Sequence, residues 1–157
     1  MPIEVYRTVS DASFTEGKKA GYAFVVRHLC ASGFQPANRG SGKIEVSSSL
    51  EAEMYGILRA LERVPDNSFG FAYCDVVGIE NIIGGKSKMG RKLHELVRRI
   101  QLELSRTGMA VKHLPDADRG KDHRECHHMA RHAMGAVKNG KRKQPKVKRK
   151  WIIRRVG

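Results

Sequence analysis

The chain has 157 residues, with 30 Lys and Arg against 16 Asp and Glu, a formal net charge of +14 and a pI of about 10.1. That length holds one domain with a short appendage, and the charge balance points to phosphate-rich polymers or anionic surfaces as partners. The hydrophobic share of 40% is that of a globular domain, and no apolar run approaches the roughly 20 residues that a membrane span requires.

The opening Met1-Pro2-Ile3-Glu4-Val5-Tyr6 has no basic segment followed by an apolar one, so a cytoplasmic location is expected. Cys30, Cys74 and Cys126 fit neither a disulfide framework nor CxxC zinc spacing, and each is expected to be a small buried apolar group in a reducing compartment. Residues 138–157 hold ten cations and no acid. They read as a basic tail, which orders on a partner if at all, behind a domain over residues 1–137.

In chain order, Val5–Phe14 mixes β-branched, aromatic and small polar residues, and Ala20–Cys30 is a second aliphatic run beyond Thr15–Lys19. The pair predicts a hairpin with a five-residue turn. Ser32–Gly42 is rich in Gly, Ser, Pro and Asn and reads as a loop, after which Lys43–Ser47 alternates like a half-buried edge strand. Behind the capping cluster Ser47-Ser48-Ser49, the apolar residues Leu50, Met54, Ile57, Leu58 and Leu61 keep helical spacing up to Pro65-Asp66-Asn67. Phe69–Cys74 is a short aromatic strand ended by Asp75, and Val76–Ile83 a brief helix closed by Gly84-Gly85. Leu93, Leu96, Val97, Ile100 and Leu104 predict another helix, with Lys86, Lys88, Arg91, Lys92, Arg98 and Arg99 as a basic surface around it. Met109–Leu114 is a last strand, Pro115–Gly120 a polar loop, and Lys121–Val137 a last helix. Three antiparallel strands followed by two crossover strands predict a mixed five-stranded sheet flanked by helices, a three-layer α/β domain.

Acids beside buried elements stand out in so basic a chain. Asp11 interrupts the first strand, Glu53 lies in the first turns of the first long helix, and Asp75 ends the fourth strand. Singly, each reads as a solvated residue or a turn cap. Together, buried carboxylates require a cation, and hard oxygen donors select Mg²⁺ or Mn²⁺, ions that act on phosphate esters. His123 and His127, one helical turn apart with Cys126 and His128 nearby, could instead hold a structural Zn²⁺. His113, at the end of the last strand, could touch substrate.

The arrangement resembles the ribonuclease H family. Asp11-Ala12-Ser13 matches a first-strand aspartate motif, and Gly21-Tyr22-Ala23-Phe24-Val25-Val26 is similar to the strand that follows it. The run from Glu53 through Ala60-Leu61-Glu62 is similar to the family's first helix, Tyr73-Cys74-Asp75 to its strand-end aspartate, and Cys126–Ala133 to its C-terminal segment. The four motifs occur in order over roughly residues 3–135. Glu51 competes with Glu53 for the glutamate position, and the Ala-Leu-Glu register favours Glu53. The chain departs from the pattern at the fourth carboxylate, where it has His127, and four residues earlier, where it has His123 in place of a common asparagine.

The resemblance implies a ribonuclease H-like fold and a monomeric endonuclease that hydrolyses the RNA strand of RNA–DNA hybrids, leaving 5′-phosphate and 3′-hydroxyl ends. It implies two Mg²⁺ or Mn²⁺ ions held by Asp11, Glu53, Asp75 and His127. The histidine would weaken the second ion and favour Mn²⁺, or would move protons. Ser13, Ser48, Ser49 and His123 are placed against nucleic acid, and in the tail Lys143, Lys148, Arg149 and Trp151 would add phosphate contacts and stacking. A catalytically silent nucleic-acid-binding module and a DNA nuclease or recombination enzyme of the same fold remain open.

Overall fold

A computed structural model describes residues 2–17, 19–88 and 91–135, without the side chains of Arg91 and Lys92. The tail and its Lys143, Lys148, Arg149 and Trp151 lie outside the described residues, as does Lys18 in the first turn.

Five strands, β1 (Glu4–Phe14), β2 (Lys19–Cys30), β3 (Gly33–Glu45), β4 (Ser68–Cys74) and β5 (Met109–His113), form one sheet in the order β3-β2-β1-β4-β5. β1, β2 and β3 are antiparallel, whereas β4 runs parallel to β1 and β5 parallel to β4. The helices are α1 (Ser49–Leu61), α2 (Ile79–Ile83), α3 (Arg91–Thr107) and α4 (Lys121–Met134). The predicted mixed sheet and element order are both present. Among the described residues no helix is long and apolar enough to cross a membrane.

β2 is buried from both sides, and its alternation separates two cores. Phe24 and Val26 join Met54, Ile57, Leu58 and Leu61 of α1, Ile79 and Ile83 of α2, and Leu96, Val97 and Ile100 of α3. Ala23 and Val25 face the other way, against Val9, Cys126, Met129 and Ala130 under α4. On α3 the predicted basic surface is present at Arg98 and Arg99, which are exposed.

Of the stretch Ser32–Gly42, all but Ser32 belongs to β3 and not to a loop. As the edge strand, β3 tolerates Pro36, which sits beside a register shift opposite Arg27. Its glycines give room to neighbouring rings: a Cβ on Gly40 would lie 2.8 Å from the Phe24 ring. α4 stops at Met134, three residues short of the predicted Val137, because Gly135 takes φ +94° as a left-handed cap. Cys30 is exposed, contrary to expectation, since β2 extends past its covering elements, whereas Cys74 and Cys126 are buried. Burial pushes the Cys74 thiol up to about 12.

α4 is seated by a close approach and two ion pairs. A Cβ on Gly21 of β2 would meet Ala130 O at 2.1 Å and Met134 N at 2.7 Å. Arg27 of β2 holds Asp122 through Nε–Oδ2 at 2.6 Å and Nη2–Oδ1 at 2.8 Å, and Arg39 of β3 pairs with Glu125. Gly21→Ala is expected to cost about 1–3 kcal/mol in urea unfolding by lifting α4 off the sheet; an unchanged midpoint would show that the helix can shift freely.

Candidate active site

Asp11, Glu53 and Asp75 are brought together from β1, α1 and the end of β4. Asp11 pairs across β1–β2 with Ala23 and is 3% exposed, so its carboxylate lies under α4 rather than in solvent. β4 runs parallel to β1, so its C-terminal end, with Asp75, comes out at the same side of the sheet.

The local chemistry of α1 decides between its two glutamates. Ser48 is the helix N-cap, its side chain accepting from Glu51 N at 3.2 Å, while Glu51 Oε1 accepts from Ser47 N at 2.8 Å. Glu51 is therefore committed to the cap. Glu53 is aimed at the other carboxylates instead, and its Oε1 is buried with no hydrogen-bond partner. Ser48 spends its side chain on the cap, Ser49 is the exposed first residue of α1, and Ser13 is half-buried near the end of β1.

α4 supplies two histidines one turn apart. His123 Nε2 lies 3.3 Å from Asp75 Oδ2 and 3.8 Å from Asp11 Oδ2, and His127 Nδ1 lies 3.1 Å from Asp11 Oδ2. Ligand atoms of Asp11, Asp75 and His123 all fall within 4.8 Å of one another. The His127 side chain is 52% exposed. His123, expected beside substrate, thus stands inside the carboxylate cluster. The zinc alternative does not assemble: Cys126 is buried with Sγ 3.3 Å from Val9 O, and His128 is exposed. His113 ends β5, its backbone N–H donating to Glu80 Oε2 at 3.0 Å.

Burial and the facing charges of Asp11 and Asp75 push the Glu53 carboxyl up to about 9. Burial, reinforced by Asp75, also raises Asp11. Asp75 moves down, chiefly through its hydrogen bond with His123, and the same bond raises His123. Arg119, anchored to Asp116 Oδ1 at 2.6 Å, lowers both Glu53 and Asp75 electrostatically. Sequence reading missed Arg119 because its loop has no periodicity; its charge beside three acids was the available signal.

Three carboxylates, an imidazole and an orphaned carboxylate oxygen make a donor set suited to a hard divalent cation. A cation there would relieve the repulsion that raises Asp11 and Glu53.

No protein-family model matches the chain. A 73-residue stretch is 40% identical to NADH-quinone oxidoreductase subunit L of Mycobacterium tuberculosis, in two strains; it covers 44% of this chain, which spans only 12% of that protein. Solved structures align over most of the chain. RNase H1 of Halobacterium salinarum matches with a TM-score of 0.65 at 16% identity, over 83% of this chain and 98% of that one. The N-terminal RNase H domain of a Mycobacterium tuberculosis protein matches with a TM-score of 0.64 at 19% identity, over 85% and 97%. LC11-RNase H1, isolated from compost and solved in complex with an RNA/DNA hybrid, gives 0.64 at 19% over 84% and 98%. The chain has the ribonuclease H fold.

Proposed function

We propose that the protein is a divalent-metal-dependent endonuclease that hydrolyses the RNA strand of RNA–DNA hybrids. The observation that carries this reading is the convergence of Asp11, Glu53 and Asp75 with His123 at one end of a ribonuclease H fold, with a Glu53 oxygen left unpartnered. A structural neighbour is a ribonuclease H1 solved on an RNA/DNA hybrid, and the net charge of +14 suits a polyanionic substrate.

Asp11, Glu53, Asp75 and His123 would hold two Mg²⁺ or Mn²⁺ ions, which when bound polarise the scissile phosphate and lower the pKa of an attacking water. Asp11, which faces Glu53, Asp75 and His123, would be among the residues that hold the metal. His123 is kept on Asp75 by their hydrogen bond, so both reach the site as a unit. His127 hangs on Asp11 by one ring nitrogen and, half in solvent, carries protons between the site and water. The site's imidazole donor gives a preference for Mn²⁺ over Mg²⁺.

The test is cleavage of a labelled hybrid, duplex DNA and branched DNA in Mg²⁺ or Mn²⁺. Hybrid cleavage confined to the RNA strand supports the reading; cleavage of DNA alone, or binding without cleavage of any substrate, overturns it. His127→Ala is expected to slow turnover on the order of 100-fold and to be partly rescued by added imidazole. Turnover that stays at the wild-type rate, or a loss that imidazole leaves untouched, would remove His127 from proton transfer.

A further inference from the structure

Among the described residues, the sheet face beneath α4 is only partly covered. α4 packs over β1, β2 and β3. Beside it, on that same face, Phe69, Phe71 and Tyr73 alternate along β4, and Phe69 and Phe71 are 54% and 37% exposed. The intervening Gly70, Ala72 and Cys74 are buried toward the opposite core. Ring centroids are 6.4 Å apart for Phe69 and Phe71 and 6.0 Å apart for Phe71 and Tyr73, so the three rings form one row. Cations flank it. Lys112 Nζ of β5 stands 5.1 Å from the Phe71 centroid, and Arg7 of β1 pairs in register with Phe71 from the other side.

The row leads to the acidic site. A cavity of about 390 Å³ is lined by Arg7, Arg27, Tyr73, Lys121 and His123 together with Asp118 and Asp122, the latter paired with Arg27 and 3.8 Å from Arg7, and His123 is the residue bonded to Asp75. Large apolar side chains grouped on an open face mark a binding surface, and an aromatic row between cations is suited to stacking successive bases while the charges meet phosphates.

We propose that this open face binds single-stranded nucleic acid beside the acidic site, with bases stacked on Phe69 and Phe71 and phosphates met by Lys112 and Lys121. Charge complementarity selects this occupant. A second copy of a chain of net charge +14, or its own segment 138–157 with ten cations and no acid, would bring like charge to the cations of the face. A polyanion brings the opposite sign. The binding stands apart from hydrolysis, so Asp75→Asn, which disables the proposed cleavage, leaves it in place.

The experiment compares full-length protein with Phe69→Ala/Phe71→Ala, by fluorescence anisotropy on a labelled oligo(dT) and on an abasic oligomer carrying the same number of phosphates. Wild type is expected to prefer oligo(dT), and the double variant to lose roughly tenfold of its affinity for oligo(dT) while binding the abasic strand as before. Phe71→Trp, which keeps a stacking surface, should retain the preference, and Phe69→Ser at the more exposed ring keeps the test available if the double variant does not fold. No preference for bases in wild type, or an equal loss on both oligomers, would overturn the proposal. So would sedimentation showing a dimer of wild type that the double variant breaks, which would make the face a contact between copies.

Discussion

Asp75→Asn is expected to slow hydrolysis of an RNA–DNA hybrid about a thousandfold in Mg²⁺ or Mn²⁺, while hybrid binding changes little. Asp75 is the acid that the protein keeps ionised: its hydrogen bond with His123 lowers its pKa, whereas Asp11 and Glu53 are raised. An asparagine preserves shape and leaves phosphate contacts elsewhere intact, yet removes the strongest anionic donor of the cluster. The same substitution deprives His123 of the partner that raises its pKa, so its titration followed by NMR should move down. Cleavage that survives Asp75→Asn at more than a tenth of the wild-type rate would mean that the reaction does not run through these carboxylates. A His123 titration that stays in place would separate the histidine from Asp75.

The second large effect is on stability without metal. Glu53 has its pKa raised in the fold from 4.5 to about 9, so the folded state binds this proton more tightly than the unfolded chain does. Stability therefore falls as pH rises between about 5 and 9. Asp11 acts in the same direction. His123, also raised, contributes stability fully present below its unfolded pKa and lost as pH rises through the folded one; Asp75, lowered, contributes in the opposite sense, with stability lost only as pH falls through its folded value. In chelator, Tm should drop on the order of 5 °C across this range, and Glu53→Gln should flatten the curve. Added Mn²⁺ should restore most of the loss in wild type and little in the variant. A flat curve for chelated wild type would show that the three acids do not crowd one another.

Much of this architecture could be read from the chain. The order of elements followed from periodicity, since α1 and α3 bury the very residues that kept helical spacing, and β4 ends at the aspartate that closes its aromatic run. Asp11, Glu53 and Asp75 emerged from their places at element ends together with the family resemblance. The third strand was expected from the alternation that begins at Lys43, but its earlier part, 33–42, was hidden because Gly40 and Gly42 signal a loop locally, yet they are selected by the Phe24 and Tyr22 rings across the strand pair. The place of His123 was hidden for a different reason. How far a helix-borne imidazole reaches depends on the depth at which α4 sits on β2, which Gly21 sets from more than a hundred residues away. The Ala-Leu-Glu register already favoured Glu53 over Glu51, and the cap hydrogen bonds of Glu51 supply the physical reason; the aromatic row of β4 reads as core until one knows which face α4 leaves bare.

The acidic centre draws on both the first strand and the last helix, Asp11 from one and His123 and His127 from the other. During synthesis the carboxylates of β1, α1 and β4 leave the ribosome well before α4 can dock. A nascent chain thus cannot bring all the donors of this acidic centre together until nearly all of the described residues have been translated, which would delay the proposed hydrolysis until the fold is complete.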